Sequence, residues 1–239
     1  MRKAIAILLT LSICCSFALF AHAETATEEP RVEILFRGIP WGSTHADVQK
    51  AIGNLGSYGY KSSYPNPAFC WAGGSKSYHY ENDPLHGSFS GPKLSVAGYD
   101  MSTQFLFAYT VTDPIKYDTE NTAFIAATYN ISDLSDPDGV AKDLVEKLSS
   151  IYGPFDSTSE GKTLGGYPIN YWYWYGANDT FIVLKERNGV GYSYGIADVT
   201  IGYGWNGGDE IMDKLDKAIS EENKAKEAEK FGNGNTDGL

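Results

Sequence analysis

Two short segments of this chain can each form a helix that leads into several strands, and that paired pattern limits the folds open to it more than any other feature. In the first, Thr44 followed three residues later by Asp47 makes a capping box, Val48, Ile52 and Leu55 recur at helical spacing, and Gly53 or Gly56 ends the run. Upstream, Val32 to Phe36 alternates like a strand and Gly38 to Gly42 makes a turn, so Ile39 and Trp41 are expected to fold over the first helical turn as a staple. In the second, Asp136 caps, Pro137 takes the first helical position, and Val140, Leu144, Val145, Leu148 and Ile151 form an apolar face that stops at the glycine turn IYGPFD.

Strand-like runs follow each helix. They are SVAGYDM, TQFLFAYTV and AFIAATYNIS in the first half, and YPINYWYWYGA, TFIVLKER and SYGIADVTIGYGW in the second. Tyr58 to Gly91 is loop-rich. The pattern predicts an α+β fold of two tandem helix-then-antiparallel-strands repeats, residues 31–135 and 136–219, with the helices packed on one face of the sheet or sheets.

Outside this part the composition changes. Arg2 and Lys3 precede an apolar run from Ala4 to Phe20, and Ala21-His22-Ala23 has the small-x-small form of a cleavage site, so residues 1–23 read as an export signal. Ile13 before Cys14, and Cys14 before Cys15, are not the small residue that a lipoprotein signal needs. Residues 24–30 read as a linker. Residues 220–239 read as a charged helical extension that frays into a Gly/Asn-rich disordered end.

The chain's formal net charge is −11, and without Arg2 and Lys3 it is −13, which weighs against nucleic acid and anionic membranes as partners. Of three cysteines only Cys70 lies beyond the signal, so no internal disulfide can form and stability must come from burial. The 216 residues that remain are enough for one large core or two modest ones.

The phrase GIPWGSTHADVQKAIG, the helix ending KLSSIYGPF, and the aromatic strand followed by TFIVLKE resemble exported bacterial proteins with the tandem architecture of the β-lactamase inhibitor protein. The likeness covers most of Arg31 to Trp205 and rests on structural motifs; the inhibitor's disulfides are missing here. The chain is similar in the same way to small outer-membrane assembly lipoproteins, which also place a turn, a short helix and a YG-P stop before strands. The resemblance implies a binding scaffold without catalysis.

Motifs that would carry chemistry each meet a simpler reading. Gly202 to Gly207, GYGWNG, fits G-x-G-x-x-G between a strand and a helix, but no second parallel strand follows, so these glycines read as a turn. Ser90-Gly-Pro-Lys93 and Ser159-Glu-Gly-Lys162 match S-x-x-K in breaker-rich loops where a penicillin-binding serine enzyme needs a helix. Cys70 could pair with His79 or His86 as nucleophile and base, but Gly73-Gly74 would break the helix that activates such a thiol, and a buried apolar cysteine fits better. His45, His79 and His86 lack zinc-ligand spacing. Asp133, Asp136, Asp138 and Gly139 evoke a calcium loop, yet an EF-hand frame would put Leu134 and Val145 where carboxylates belong, so capping is the better account. No cofactor or metal is expected.

The most informative stretch is YPINYWYWYGA. Alternation sends Tyr167, Ile169, Tyr171, Tyr173 and Tyr175 to one face and Asn170, Trp172 and Trp174 to the other. The tryptophans are expected to pack inward and the tyrosines, with their polar tips, to take the wet face; Phe105, Phe107 and Tyr109 are expected together in the core. Tyr171, Tyr173 and Tyr175 are therefore the candidate binding residues, for a protein surface first and a polysaccharide second. A glycan-directed hydrolase is third, because no spacing announces paired carboxylates.

Overall fold

The computed structural model describes residues 31–56, 58–59, 86–112, 119–163, 165–192 and 196–232. Arg31 closes a separate N-terminal unit, and every element below belongs to the unit Val32–Leu239. Along the chain come helix α1 (His45–Ile52), strands β1 (Tyr58–Gly59), β2 (His86–Val96), β3 (Tyr99–Tyr109) and β4 (Thr122–Ser132), and helix α2 (Pro137–Tyr152). Strands β5 (Ser157–Lys162), β6 (Pro168–Tyr175), β7 (Thr180–Arg187) and β8 (Asp198–Trp205) and helix α3 (Gly207–Gly232) complete it. The class is α+β. One antiparallel sheet runs in the order β1-β2-β3-β4-β8-β7-β6-β5, seven full strands with the two-residue β1 at one edge.

Local chemistry sets the helix ends. At α1 the Thr44 hydroxyl accepts from the Asp47 amide while the Asp47 carboxylate accepts from the Thr44 amide, and Gly53, at φ 105°, ends the helix. At α2 the Asp136 carboxylate accepts from the Gly139 amide at 3.0 Å, and Gly153, at φ 85°, closes it. Ala141, Leu144 and Leu148 are buried and Val140 and Val145 half-buried, but Ile151 is 69% exposed. The apolar stripe instead runs to the end of the helix through Tyr152, which packs half-buried against the same core.

Phe36 occupies the middle of the main core. Its ring stacks on Tyr129 at 4.8 Å and meets Phe105 and Tyr203 edge-on at 5.4 Å each. Around it lie Val48 of α1, Leu144 and Leu148 of α2, and Phe107, Phe124, Trp174, Ile182, Leu184, Val199 and Ile201 of the sheet. A second cluster joins Leu106, Ala108, Ile125 and Ala126 to Met212 and Leu215 of α3. Because Phe105 and Leu106, like Phe124 and Ile125, are neighbours on a strand, the two clusters lie on opposite faces. Helix α3 therefore departs from the expected packing of helices on one face. Strands β3 and β4 are apolar on both faces, and each face needs a cover.

Other expectations also change. SVAGYDM is a hairpin: β2 ends at Val96, Ala97 and Gly98 turn with φ of 55° and 92°, and β3 begins at Tyr99. Val32 to Phe36 makes only isolated bridges, Glu33 with Ala177 and Phe36 with Ile39. Trp41 stacks on Phe124 at 4.9 Å and donates to the Ile34 carbonyl, so it ties the leading segment to the sheet and is no staple on α1. Tyr109 joins the second cluster, apart from Phe105 and Phe107. The charged run past Ser220 is helical as far as Gly232, with every side chain from Glu221 to Lys230 exposed.

Candidate functional site

Strand β6 carries the tyrosine row. Its alternation is realised: Trp174 is 1% exposed and its indole N–H donates to the Gly153 carbonyl at 3.0 Å, while Trp172 packs half-buried against the same core. Tyr171, Tyr173 and Tyr175 lie on the opposite face, the first two half-buried and Tyr175 44% exposed. Their rings run nearly parallel, 6.2 Å and 18° apart for Tyr171 and Tyr173, 6.3 Å and 8° for Tyr173 and Tyr175. Neighbouring strands hold the row in place. Ser159 of β5 bonds the Tyr173 hydroxyl at 3.0 Å, and the Asp156 carboxylate accepts from the Tyr175 amide at 2.7 Å. Beyond the strand, Tyr167 meets Tyr192 edge-to-face at 4.9 Å and prolongs the aromatic line.

Strand register extends this face sideways. Tyr175, Tyr173, Tyr171 and Ile169 face Phe181, Val183, Lys185 and Arg187 of β7, which in turn face Gly204, Gly202, Thr200 and Asp198 of β8. The face thus grades from aromatic and apolar at one end to ionic at the other. Arg187 and Asp198 form an ion pair, and the Asn130 amide donates to Thr200 at 2.8 Å. Burial holds the Lys185 ammonium down, its pKa falling to about 8, with Arg187 pushing the same way and Asp198 opposing. This ionic band was not singled out from the sequence. The alternation of TFIVLKER carries the signal, since it puts Lys185 and Arg187 on one side with Phe181 and Val183.

Of the remaining motifs, the glycines of β8 and Ser159 of β5 adjoin this face without forming a reactive group, and the others lie apart from it. Gly202 and Gly204 sit within β8 and not in a turn; the Phe181 ring fills the space a side chain on Gly204 would take. Ser90 to Lys93 spans a bulge of β2 and Ser159 to Lys162 lies on β5, so both S-x-x-K matches are on strands and not in loops. Cys70 and His79 lie outside the described residues, as does the export signal. His45 is buried against Phe89 and Phe107, where desolvation lowers its pKa. With Gln49, Lys50, Asn54 and Thr119 it lines a shallow depression of about 560 Å³ beside α1. Asp136 serves as the α2 cap. Among the described residues no three or more His, Cys, Asp or Glu side chains are grouped to hold a metal, and no helix is long and apolar enough to cross a membrane.

No family model, curated protein or solved structure matches this chain.

Proposed function

We propose that this is an exported, non-catalytic binding module that engages a protein at the cell envelope through the face carrying Tyr171, Tyr173 and Tyr175. The observation that carries the reading is the tyrosine row itself. Three near-parallel rings line one strand on the side away from the Trp174 core, and the outermost, Tyr175, is well exposed. Tyrosine supplies a large, stiff, amphipathic contact at small entropic cost, which is why it recurs where proteins bind one another.

The fold reading extends the same way. The chain is two copies of one design, a helix and then four strands, joined where the last strand of each copy pairs antiparallel, β4 with β8. That arrangement is in keeping with the resemblance to the β-lactamase inhibitor protein and its tandem relatives. Export rests on the charged, apolar and small-x-small sequence of residues 1–23.

The test is capture with the immobilised chain from Glu24 to Leu239, applied to surface and culture fractions with identification of retained proteins and glycans. A single saturable protein partner, lost with Tyr171→Ser/Tyr173→Ser while the melting temperature holds, supports the reading. Retained polysaccharide replaces it with a carbohydrate-binding one. Unfolding of the double variant would assign the rings to the core.

A further inference from the structure

Helix α1 buries a polar ring that nothing in the fold uses. The His45 imidazole is 7% exposed, its centroid 4.5 Å from the Phe89 ring of β2 and 5.3 Å from the Phe107 ring of β3. The His45 backbone amide donates to Thr122 Oγ1 at 3.1 Å, and among the described residues the ring itself has no hydrogen-bond partner. A phenyl group would fill the same place without the cost of taking two nitrogens out of water. The ring borders the depression beside α1, so its unserved polar edge is within reach of a ligand.

The depression runs along one stripe of the helix. His45 and Gln49 stand one turn apart, Lys50 follows, Asn54 lies just past the Gly53 stop, and Thr119 comes from the chain that leads into β4. A short relay ties these walls together, because the Thr122 hydroxyl that accepts from the His45 amide donates in turn to the Thr119 carbonyl at 3.2 Å. The walls contain no carboxylate, although acidic residues outnumber basic ones 30 to 19 in the chain. Lys50, the one charged side chain among them, sits in the last turn of α1, where its ammonium offsets the negative end of the helix dipole. The other polar groups are an imidazole, two carboxamides and a hydroxyl, each of which both donates and accepts.

We propose that this depression is a binding site for a neutral, hydroxyl-rich ligand of sugar size, whose hydroxyls bond the His45 imidazole and the Gln49 and Asn54 amides. Sugar hydroxyls have the same dual character as these groups, and a volume of about 560 Å³ falls within the roughly 300–1,000 Å³ of small-molecule sites. An anion would find Lys50 alone to pair with and the helix end set against it. A metal ion would find one imidazole and no carboxylate. The site lies with α1 on the side of the main core, and the tyrosine row is on the opposite face of the sheet.

The neutral imidazole is the form that binds, since a protonated ring has no lone pair to accept from a hydroxyl. Burial lowers the His45 pKa from the ordinary 6.5, and the positive end of α1 acts in the same sense. Strands β2, β3 and β4 present Phe89, Phe107 and Thr122 to this residue, none of them charged; on α1, Lys50 shares the depression and Asp47 is turned to Thr44. Affinity is therefore full at neutral pH and is lost as pH falls through the lowered folded value.

The test is an NMR titration of the intact protein with glucose, galactose and N-acetylglucosamine in turn, and with acetate, read at backbone amides and the histidine ring and repeated with His45→Phe and with Gln49→Ala/Asn54→Ala. The site requires saturable shifts of the His45 ring and of amides within residues 45–54 with at least one sugar, and binding about tenfold weaker or worse in each variant. It also requires affinity that falls as the wild type is taken below pH 6.5. No saturable shift with any sugar overturns the proposal, as do binding that both variants keep, affinity indifferent to pH, or a response to acetate alone. Shifts confined to residues 171–175 overturn it too and belong to the tyrosine face. Should His45→Phe not fold, the double variant, whose two side chains are exposed, still decides.

Discussion

Trp174 and Tyr175 are adjacent on one strand and meet opposite fates, which shows what alternation does in this chain. Trp174 fills the core, and its indole N–H satisfies the Gly153 carbonyl at the end of α2. Trp174→Ala removes both, and a loss of about 3–5 kcal/mol is expected in chemical denaturation. On the tyrosine face the most perturbed single group is Lys185, whose pKa is lowered to about 8, chiefly by burial. A lysine harder to protonate when folded costs stability below that value, and the cost is relieved as pH rises from about 8 toward the ordinary lysine value of 10.5. Lys185→Met should accordingly raise the melting temperature at pH 7, with the gain shrinking toward pH 10.5. A gain that did not change with pH would assign the effect to packing alone. The inward tryptophans were legible because a period of two needs no tertiary information. Glu186 was not legible, since the same alternation that puts it beside Leu184 says nothing of the Asn170 amide that meets it from β6.

Among the elements, α1 and α2 could be read to within a residue because their caps are chemical signatures as well as patterns. Thr44→Ala removes one side of the α1 capping box and is expected to cost about 1 kcal/mol, measured by denaturant unfolding. Helix α3 divides in two. Met212 and Leu215 are buried, whereas every side chain from Glu221 to Lys230 is exposed. Ending the chain after Ser220 should leave the thermal midpoint nearly unchanged, while Met212→Ala should lower stability by about 2–5 kcal/mol. Strand β5 escaped the sequence reading for a plain reason. Its residues STSEGK are exposed throughout, so burial writes no hydrophobic period into them, and only pairing with β6 makes them a strand. The face taken by α3 was equally unreadable, because a strand apolar on both sides does not declare which helix covers which.

Across the whole molecule, the two halves meet at β4 and β8, which pair from Ala126 with Gly204 to Ser132 with Asp198. Core residues stand on both sides of that seam. Phe36, from the leading segment, touches Tyr129 of β4 and Tyr203 of β8 together. Such a seam predicts one cooperative unfolding transition, with calorimetric and van't Hoff enthalpies equal; two resolved transitions would mean that the halves are separate folding units.

Among the described residues the sheet does not close on itself, and β5 is where it stops. A strand with one row of backbone donors and acceptors turned outward is a template on which another chain can lengthen the sheet. Here the template is six residues long and carries a negative charge at Glu160 and a positive one at Lys162. If two molecules met with these strands antiparallel and centred, Glu160 would oppose Ser159 and Lys162 would oppose Ser157, leaving both charges unmatched, and sliding to match Glu160 with Lys162 would halve an already short overlap. The same modest charged strand that ends the fold also discourages concentrated protein from joining edge to edge into ribbons.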